Sequence, residues 1–153
     1  MIRMCDGSIF DADVEALVNP VNTVGVMGAG LAKKFKERWP GMFWGYESTC
    51  KAGELNVGEV FLWRPNWRNP DPRFIVCLPT KRHYRDASRL EDIESGLVAM
   101  IPKLQRFRVR SVAIPALGCG LGGLDWADVL PLIERVMGGV PGIETHIYPP
   151  KGG

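Results

Sequence analysis

The 153-residue sequence predicts an α/β domain, a mixed sheet flanked by helices. Three observations carry that prediction. Short runs rich in apolar and β-branched residues alternate with segments of helical period. Two glycine clusters each fall where an apolar run ends and a helical segment begins. Hydrophobic residues make up 46% of the chain and charged residues 24%, a globular mix that can bury a core without disulfide staples.

In chain order, Ile2 to Cys5 reads as a first strand and Ala16 to Asn19 as a buried strand ending at Pro20. The first glycine cluster, Gly25-Val26-Met27-Gly28-Ala29-Gly30, precedes a helix over 31–39 with Leu31, Ala32, Phe35 and Trp39 on one face. Pro40-Gly41 stops it, and a second short helix spans 42–50, closed by Gly53. Strands follow at 59–63 and 74–79, separated by the breaker-rich loop 64–72. Ser88-Arg89-Leu90-Glu91 matches a capping box and opens a helix bearing Leu90, Ile93, Leu97, Ile101 and Leu104, with Pro102 set to kink or interrupt it. A fifth strand covers 111–115, and the second cluster, Gly118-Cys119-Gly120-Leu121-Gly122-Gly123, comes after it. A helix lies between Trp126 and Met137, with Pro131 disturbing its first turn, and a closing strand covers 143–148. The domain reads as residues 1–150, with 151–153 a tail or the start of a linker to a further domain.

Composition excludes several classes. No apolar run approaches the ~20 residues that cross a bilayer, and the N-terminus lacks a signal-peptide core, so a cytoplasmic address is expected. Cys5, Cys50, Cys77 and Cys119 form no CxxC pair, and His83 and His146 are the only histidines. This spacing argues against a zinc site and against a disulfide framework. No metal and no cofactor is expected. A net charge of +2, from 19 basic and 17 acidic residues, argues against unspecific coating of nucleic acid but leaves room for a local basic face.

The glycine loops carry the ligand argument. Backbone N–H groups at a strand-to-helix junction are unpaired and sit at the positive end of a helix dipole. Glycine lets the chain curl closely around an anion. Two such loops can grip two linked phosphates, which points to a diphosphate such as a nucleotide sugar. The alternative is that the glycines only make tight turns. The second cluster also matches GxGxxG, but it lies near the end of the chain, with Glu144 at the start of its strand, so a dinucleotide-binding dehydrogenase is rejected.

Pro79-Thr80-Lys81-Arg82-His83-Tyr84-Arg85 directly follows a strand, where ligands of open α/β sheets bind. Lys81 there is either a nucleophile toward a sugar carbon or part of an exposed basic turn, and spacing alone favours the turn. Asn22 has the donor and acceptor needed for sugar hydroxyls, whereas Asn19 reads as a turn or strand-end cap. Asp125 reads as a helix N-cap, His146 as structural, and Cys119 as a small apolar filler with no sign of thiolate activation. Arg64, Arg68, Arg82, Arg85 and Arg89 alternate with Trp63, Trp67 and Tyr84. That pattern suits single-stranded nucleic acid, although a solvated surface with structural tryptophans accounts for it as well.

The motifs as they stand resemble a known family. Asp13-Val14-Glu15-Ala16-Leu17-Val18-Asn19-Pro20-Val21-Asn22, with Gly25 to Ala32 after it, is similar to the first signature of macrodomains. Ile114 to Trp126, through Gly118-Cys119-Gly120-Leu121-Gly122-Gly123-Leu124-Asp125, is similar to the second. Met27-Gly28-Ala29-Gly30, Pro79-Thr80-Lys81 and the second signature together resemble the branch of terminal ADP-ribose glycohydrolases and, more closely, DarG-type antitoxins. The resemblance implies a three-layer α/β/α macrodomain with a central mixed sheet. It implies a DNA ADP-ribosylglycohydrolase that removes ADP-ribose from thymidine in single-stranded DNA, with a DarT-type toxin as partner. Lys81 and Asn22 would carry activity, Asn22 meeting the distal ribose. Met27, Gly28, Ala29, Gly30 and Leu31 would hold the diphosphate, with Leu117, Gly118, Cys119, Gly120, Leu121 and Gly122 opposite. Ser8, Ile9, Asn19, Thr80 and Tyr148 would complete the ADP-ribose site, and Arg82, His83 and Arg85 would contact DNA.

Two positions depart from family patterns. Gly7-Ser8-Ile9 stands where many macrodomains carry Gly-Asp-Ile for adenine, and Gly122 stands where the terminal glycohydrolase carries a catalytic aspartate. The readings kept beside the hydrolase are a non-catalytic ADP-ribose reader and a hydrolase of ADP-ribosylated protein or of ADP-ribose 1″-phosphate.

Overall fold

The computed structural model describes residues 1–65 and 72–151. The elements are β1 (Ile2–Met4), a single 3-10 turn (Ile9–Asp11), β2 (Ala16–Asn22), α1 (Gly30–Arg38), α2 (Pro40–Lys51), β3 (Phe61–Trp63), β4 (Phe74–Lys81), α3 (Leu90–Arg106), β5 (Ser111–Ile114), α4 (Trp126–Gly138) and β6 (Glu144–Ile147). They form one mixed sheet in the order β1-β6-β5-β2-β4-β3, with β3 antiparallel to β4 and every other pair parallel.

The strands are apolar on both faces because both faces are covered. Ala16, Val18, Val76, Leu78, Val112 and Ile114 pack under α3 and α4 with Ile93, Leu97, Met100 and Ile133. The alternate positions Leu17, Val21, Ile75, Cys77 and Ala113 pack under α1 and α2 with Phe35, Met42 and Tyr46. This is the three-layer α/β/α arrangement that the sequence predicts. Gly96 sets how closely α3 lies on β4, since a Cβ there would stand 2.9 Å from Leu78 Cδ2.

Four local expectations are corrected. β2 does not stop at Pro20 but runs on to Asn22. Its ladder with β5 covers only Ala16 and Leu17, so past that point one side of β2 carries no strand, and a residue without an N–H fits there. Ser88 does not cap α3. Arg89 occupies the N-cap without a side-chain bond, and Ser88 is buried with its N–H donated to the Gly122 carbonyl at 2.9 Å. Pro102 does not interrupt α3. A proline there frees the carbonyl four residues back, and that residue, Val98, is exposed rather than packed in the core. Likewise α4 runs through Pro131, and Pro40 begins α2 at a position where no N–H is needed.

Because β1, β2, β4, β5 and β6 all run the same way, their carboxyl ends share one edge of the sheet. Both glycine loops, Lys81 and Tyr148 therefore meet there. Where β2 outruns β5 the two strands have no ladder between them, which opens a crevice at that edge.

A half-buried network ties the opposite end together. Glu15 accepts from Arg73 Nη1 at 2.6 Å and from the Arg110 N–H at 2.7 Å, while its own N–H donates to Ser111 Oγ. Burial works against the Glu15 charge, but these hydrogen bonds and positive charges outweigh it and hold the carboxyl below its ordinary value. A depressed carboxyl stabilises the fold above its unfolded pKa, and that contribution is lost as pH falls through the lower, folded value. Glu15→Gln is expected to cost about 1 kcal/mol near neutral pH, with the difference from wild type shrinking below about pH 4, in urea unfolding followed across pH.

Candidate active site

The first loop is organised by Asn22. The β2–β4 register slips between Val21 and Asn22, and the slip sets Asn22 directly opposite Lys81. The Asn22 carboxamide then holds its own loop. Its Oδ1 accepts from the Val24 and Val26 N–H groups at 3.1 and 3.3 Å, and its Nδ2 donates to the Val26 carbonyl at 2.8 Å. From α2, the buried Tyr46 hydroxyl lies 2.8 Å from that same Oδ1 and 2.7 Å from the Asn22 carbonyl. Burial pushes the Tyr46 phenol well above its usual range, so it stays a donor. The second Asn22 Nδ2 proton has no acceptor among the described residues.

Beyond this hub, Gly28, Ala29 and Gly30 are exposed and lead into α1, whose first N–H groups have no intrahelical acceptor. Gly30 sits at φ +61°, a left-handed conformation suited to glycine. Leu31 is half-buried at the first turn. Met27 is buried, so only its backbone can face a ligand.

Lys81 ends β4, half-buried, and donates from Nζ to the Tyr84 carbonyl at 3.0 Å. The next turn is tied to the first loop, since Thr23 donates from both N–H and Oγ1 to the Arg82 carbonyl, at 3.1 and 2.7 Å. Thr80 is buried, with its hydroxyl 3.5 Å from the Val21 carbonyl. Arg82 pairs with Asp92 of α3 at 2.9 Å. His83 stacks against Tyr84 with ring centroids 4.1 Å apart, and its Nδ1 accepts from the Arg85 N–H. The Arg85 guanidinium lies 5.6 Å from the same tyrosine ring.

The second loop is built on close contacts. Leu124 donates its N–H to the Gly118 carbonyl at 2.8 Å, and Gly123 donates to Gly120 at 3.3 Å. The Gly120, Leu121 and Gly122 N–H groups have no backbone acceptor among the described residues; Gly120 and Leu121 are exposed and Gly122 is buried. A Cβ on Gly122 would stand 2.2 Å from Ser88 Oγ and 2.6 Å from the Gly118 carbonyl. Gly118 is equally confined, at φ +72° and against Leu124, Ile93 and Ser88. Leu117 is buried, whereas Leu121 is 71% exposed and reaches over to Gly30 of the first loop. Cys119 is half-buried, and burial with the Asp125 charge pushes its thiol up, away from thiolate chemistry. Asp125 caps α4, accepting from the Ala127 N–H at 3.0 Å.

At the far end, Ser8 accepts from the Phe10 N–H at 3.2 Å and starts the 3-10 turn. Ile9 is buried in the core. Tyr148 leans on that core, and burial together with Cys5 and Asp11 raises its phenol pKa.

Asn19 differs from the strand-end cap expected of it. It lies inside β2, fully buried, with Nδ2 3.8 Å from each of Met27 Sδ, Met42 Sδ and Cys77 Sγ. The alternating arginines and aromatics do not share one surface. Trp63 pairs with Ile75 near the start of β4, whereas Arg82 and Arg85 follow its end, so Arg64 lies at the opposite pole from the site. Trp67 and Arg68 lie outside the described residues. His146 is buried in β6, as expected of a structural residue, with Nε2 3.1 Å from Glu144. Sequence reasoning did not anticipate Tyr46 or Ser88 at the site. Nothing in the helix pattern distinguishes Tyr46 from another core aromatic, and Ser88 carries a misleading capping motif.

In sheet order the edge presents Ser8 and Tyr148, then the second loop, then the first loop with Asn22, then Lys81. Four interstrand steps span about 20 Å, a length suited to an extended molecule with a diphosphate at its middle.

The crowding at Gly122 gives a direct test. Gly122→Ala is expected to cost about 2 kcal/mol or more in unfolding, by overpacking against Ser88. Adding Ser88→Gly should recover part of that loss in a double-mutant cycle, because the two Ser88 atoms that clash go with it while the Gly118 carbonyl stays.

The macro domain family profile matches residues 18–133. The curated DNA ADP-ribosyl glycohydrolase of Mycobacterium tuberculosis is 44% identical over 153 residues, covering 100% of this chain and 43% of that protein. The chain thus spans less than half the length of that relative. The structure of the macrodomain of Mycobacterium tuberculosis DarG superposes with a TM-score of 0.95 at 43% identity, covering 99% of both chains. Thermosipho africanus DarTG in complex with ADP-ribose superposes with a TM-score of 0.89 at 34% identity, over 99% of this chain and 42% of that one. The chain therefore belongs to the macro domain family, and over nearly its whole length it is similar to the Mycobacterium tuberculosis DarG macrodomain.

Proposed function

We propose that the chain is the hydrolase part of a DarG-type antitoxin, removing ADP-ribose from thymidine in single-stranded DNA and so reversing a DarT-type toxin. The observation that carries this reading is the register slip in β2. It sets Asn22 and Lys81 side by side, next to the first glycine loop and at one end of a strip that suits ADP-ribose. Names borne by the relatives support the choice of DNA as the carrier of the modification.

In this reading adenosine lies toward Ser8 and Tyr148. Backbone N–H groups from both loops meet the diphosphate, and Leu121 closes over it toward Gly30. The remaining Asn22 N–H orients the distal ribose. Hydrolysis breaks the bond from C1″ to the thymine nitrogen, water supplies the new C1″ oxygen, and the base leaves with the proton. Lys81 has one N–H on the Tyr84 carbonyl and two left to meet the charge growing on the departing base. Gly122 supplies no carboxylate to the reaction, which leaves Lys81 as the reacting side chain on this edge. The alternative role for Lys81, attack on C1″ with formation of a Schiff base, would be trapped by borohydride as a stable adduct.

Lys81→Ala is expected to lower turnover of ADP-ribosylated single-stranded DNA by at least ~100-fold while leaving ADP-ribose affinity by calorimetry within about threefold of wild type. Full turnover by this variant overturns the mechanism. Binding without release from DNA, protein or ADP-ribose 1″-phosphate by the wild type would make the chain a reader instead.

A further inference from the structure

The structure assigns a second binding surface, a groove between α1 and α2 that takes the DNA strand flanking the modified thymidine. This rests on the DNA-directed reading above. The groove measures about 570 Å³ and is lined by Gly28, Lys33, Lys36, Phe43 and Trp44, with Glu37 as the acidic residue on its wall. Three features single it out.

First, Trp44 is 66% exposed although it sits in the middle of α2. Neighbouring positions of the same helix, Met42 and Tyr46, are fully buried, so the helix has a core face and Trp44 is not on it. An indole held this exposed beside a groove offers a wide flat face for stacking. Second, cations and rings interleave here. Lys36 Nζ stands 4.2 Å above the Phe43 ring, and Lys33 lies one turn earlier on the same helix. Phosphate contact from lysine combined with base stacking on aromatics is how single strands are bound without reading sequence. Third, the groove opens into the site. Gly28 belongs to both the groove wall and the first glycine loop, so a strand leaving the distal ribose has a lined path beside it.

A protein partner would also cover an exposed tryptophan. The pairing of lysines with aromatic rings, and the continuity with Gly28, favour the nucleic acid.

The test has two arms. In the first, binding of an unmodified, labelled oligothymidylate is followed by anisotropy, without ADP-ribose. Trp44→Ala is expected to weaken it about tenfold, the loss of one stacked base, and Trp44→Phe to restore most of it. Lys33→Glu with Lys36→Glu should weaken it further and flatten the salt dependence, by about 0.7 in slope for each phosphate that is no longer neutralised. Because Trp44 is outside the core, melting by circular dichroism should match wild type. In the second arm, Trp44→Ala is expected to raise KM for an ADP-ribosylated oligonucleotide while leaving cleavage of ADP-ribosylated thymidine mononucleotide unchanged. Oligothymidylate binding that ignores Trp44 and both lysines overturns the groove, including the outcome in which the variants instead lose capture of a purified DarT-type transferase. Binding that depends on Trp44, in a chain that cleaves neither substrate, upholds the groove and fails the hydrolase reading alone.

Discussion

The edge of this sheet depends on one carboxamide. Asn22 uses both ends of its side chain to close the loop that follows it, and Tyr46 reaches up from α2 to the same oxygen. These bonds form away from bulk water, where each is strong and where leaving any member unpaired is costly. The slip that places Asn22 beside Lys81 would be of little use if the loop beyond it wandered. The hub therefore ties three things together: the register of β2 and β4, the path of the first glycine loop, and the seating of α2.

The second loop is held by exclusion of volume. Gly118 and Gly122 are confined by Ser88, Leu124 and a carbonyl, so any side chain on either would push the loop off its position. Ser88 joins this loop to the segment that follows β4, through its N–H on the Gly122 carbonyl. The segment carrying Lys81 is thereby tied on both sides, to the first loop through Thr23 and Arg82 and to the second through Ser88. Glycine at 122 is a packing requirement here before it is a missing carboxylate.

Much of this was legible in the sequence, because period and punctuation report local geometry directly. Six strands, four helices, two glycine loops and the Asp125 cap follow from alternation and breakers. What escaped depends on contacts between segments distant in the chain. Pro20 looks like a strand end until one sees that β5 stops pairing at Leu17. Ser88 looks like a cap until Gly122 is found beside it, 34 positions later in the numbering. Asn19 and Asn22 are the same residue type three positions apart, yet one faces three sulfurs in the core and the other faces the loop. Strand parity and the slip at Val21 decide between them, and neither is written in the local pattern.

The cations around the site divide into those already paired and those still free to act. Arg82 is tied to Asp92, so it braces the turn after β4 against α3 and offers little charge to a ligand. Tyr84 does two jobs at once. Its carbonyl holds Lys81 Nζ, while its ring carries His83 on stacking and Arg85 within cation–π range. The carbonyl that holds Lys81 belongs to the backbone, so any residue at this position could supply it, and the Tyr84 ring instead organises the turn by its contacts with His83 and Arg85.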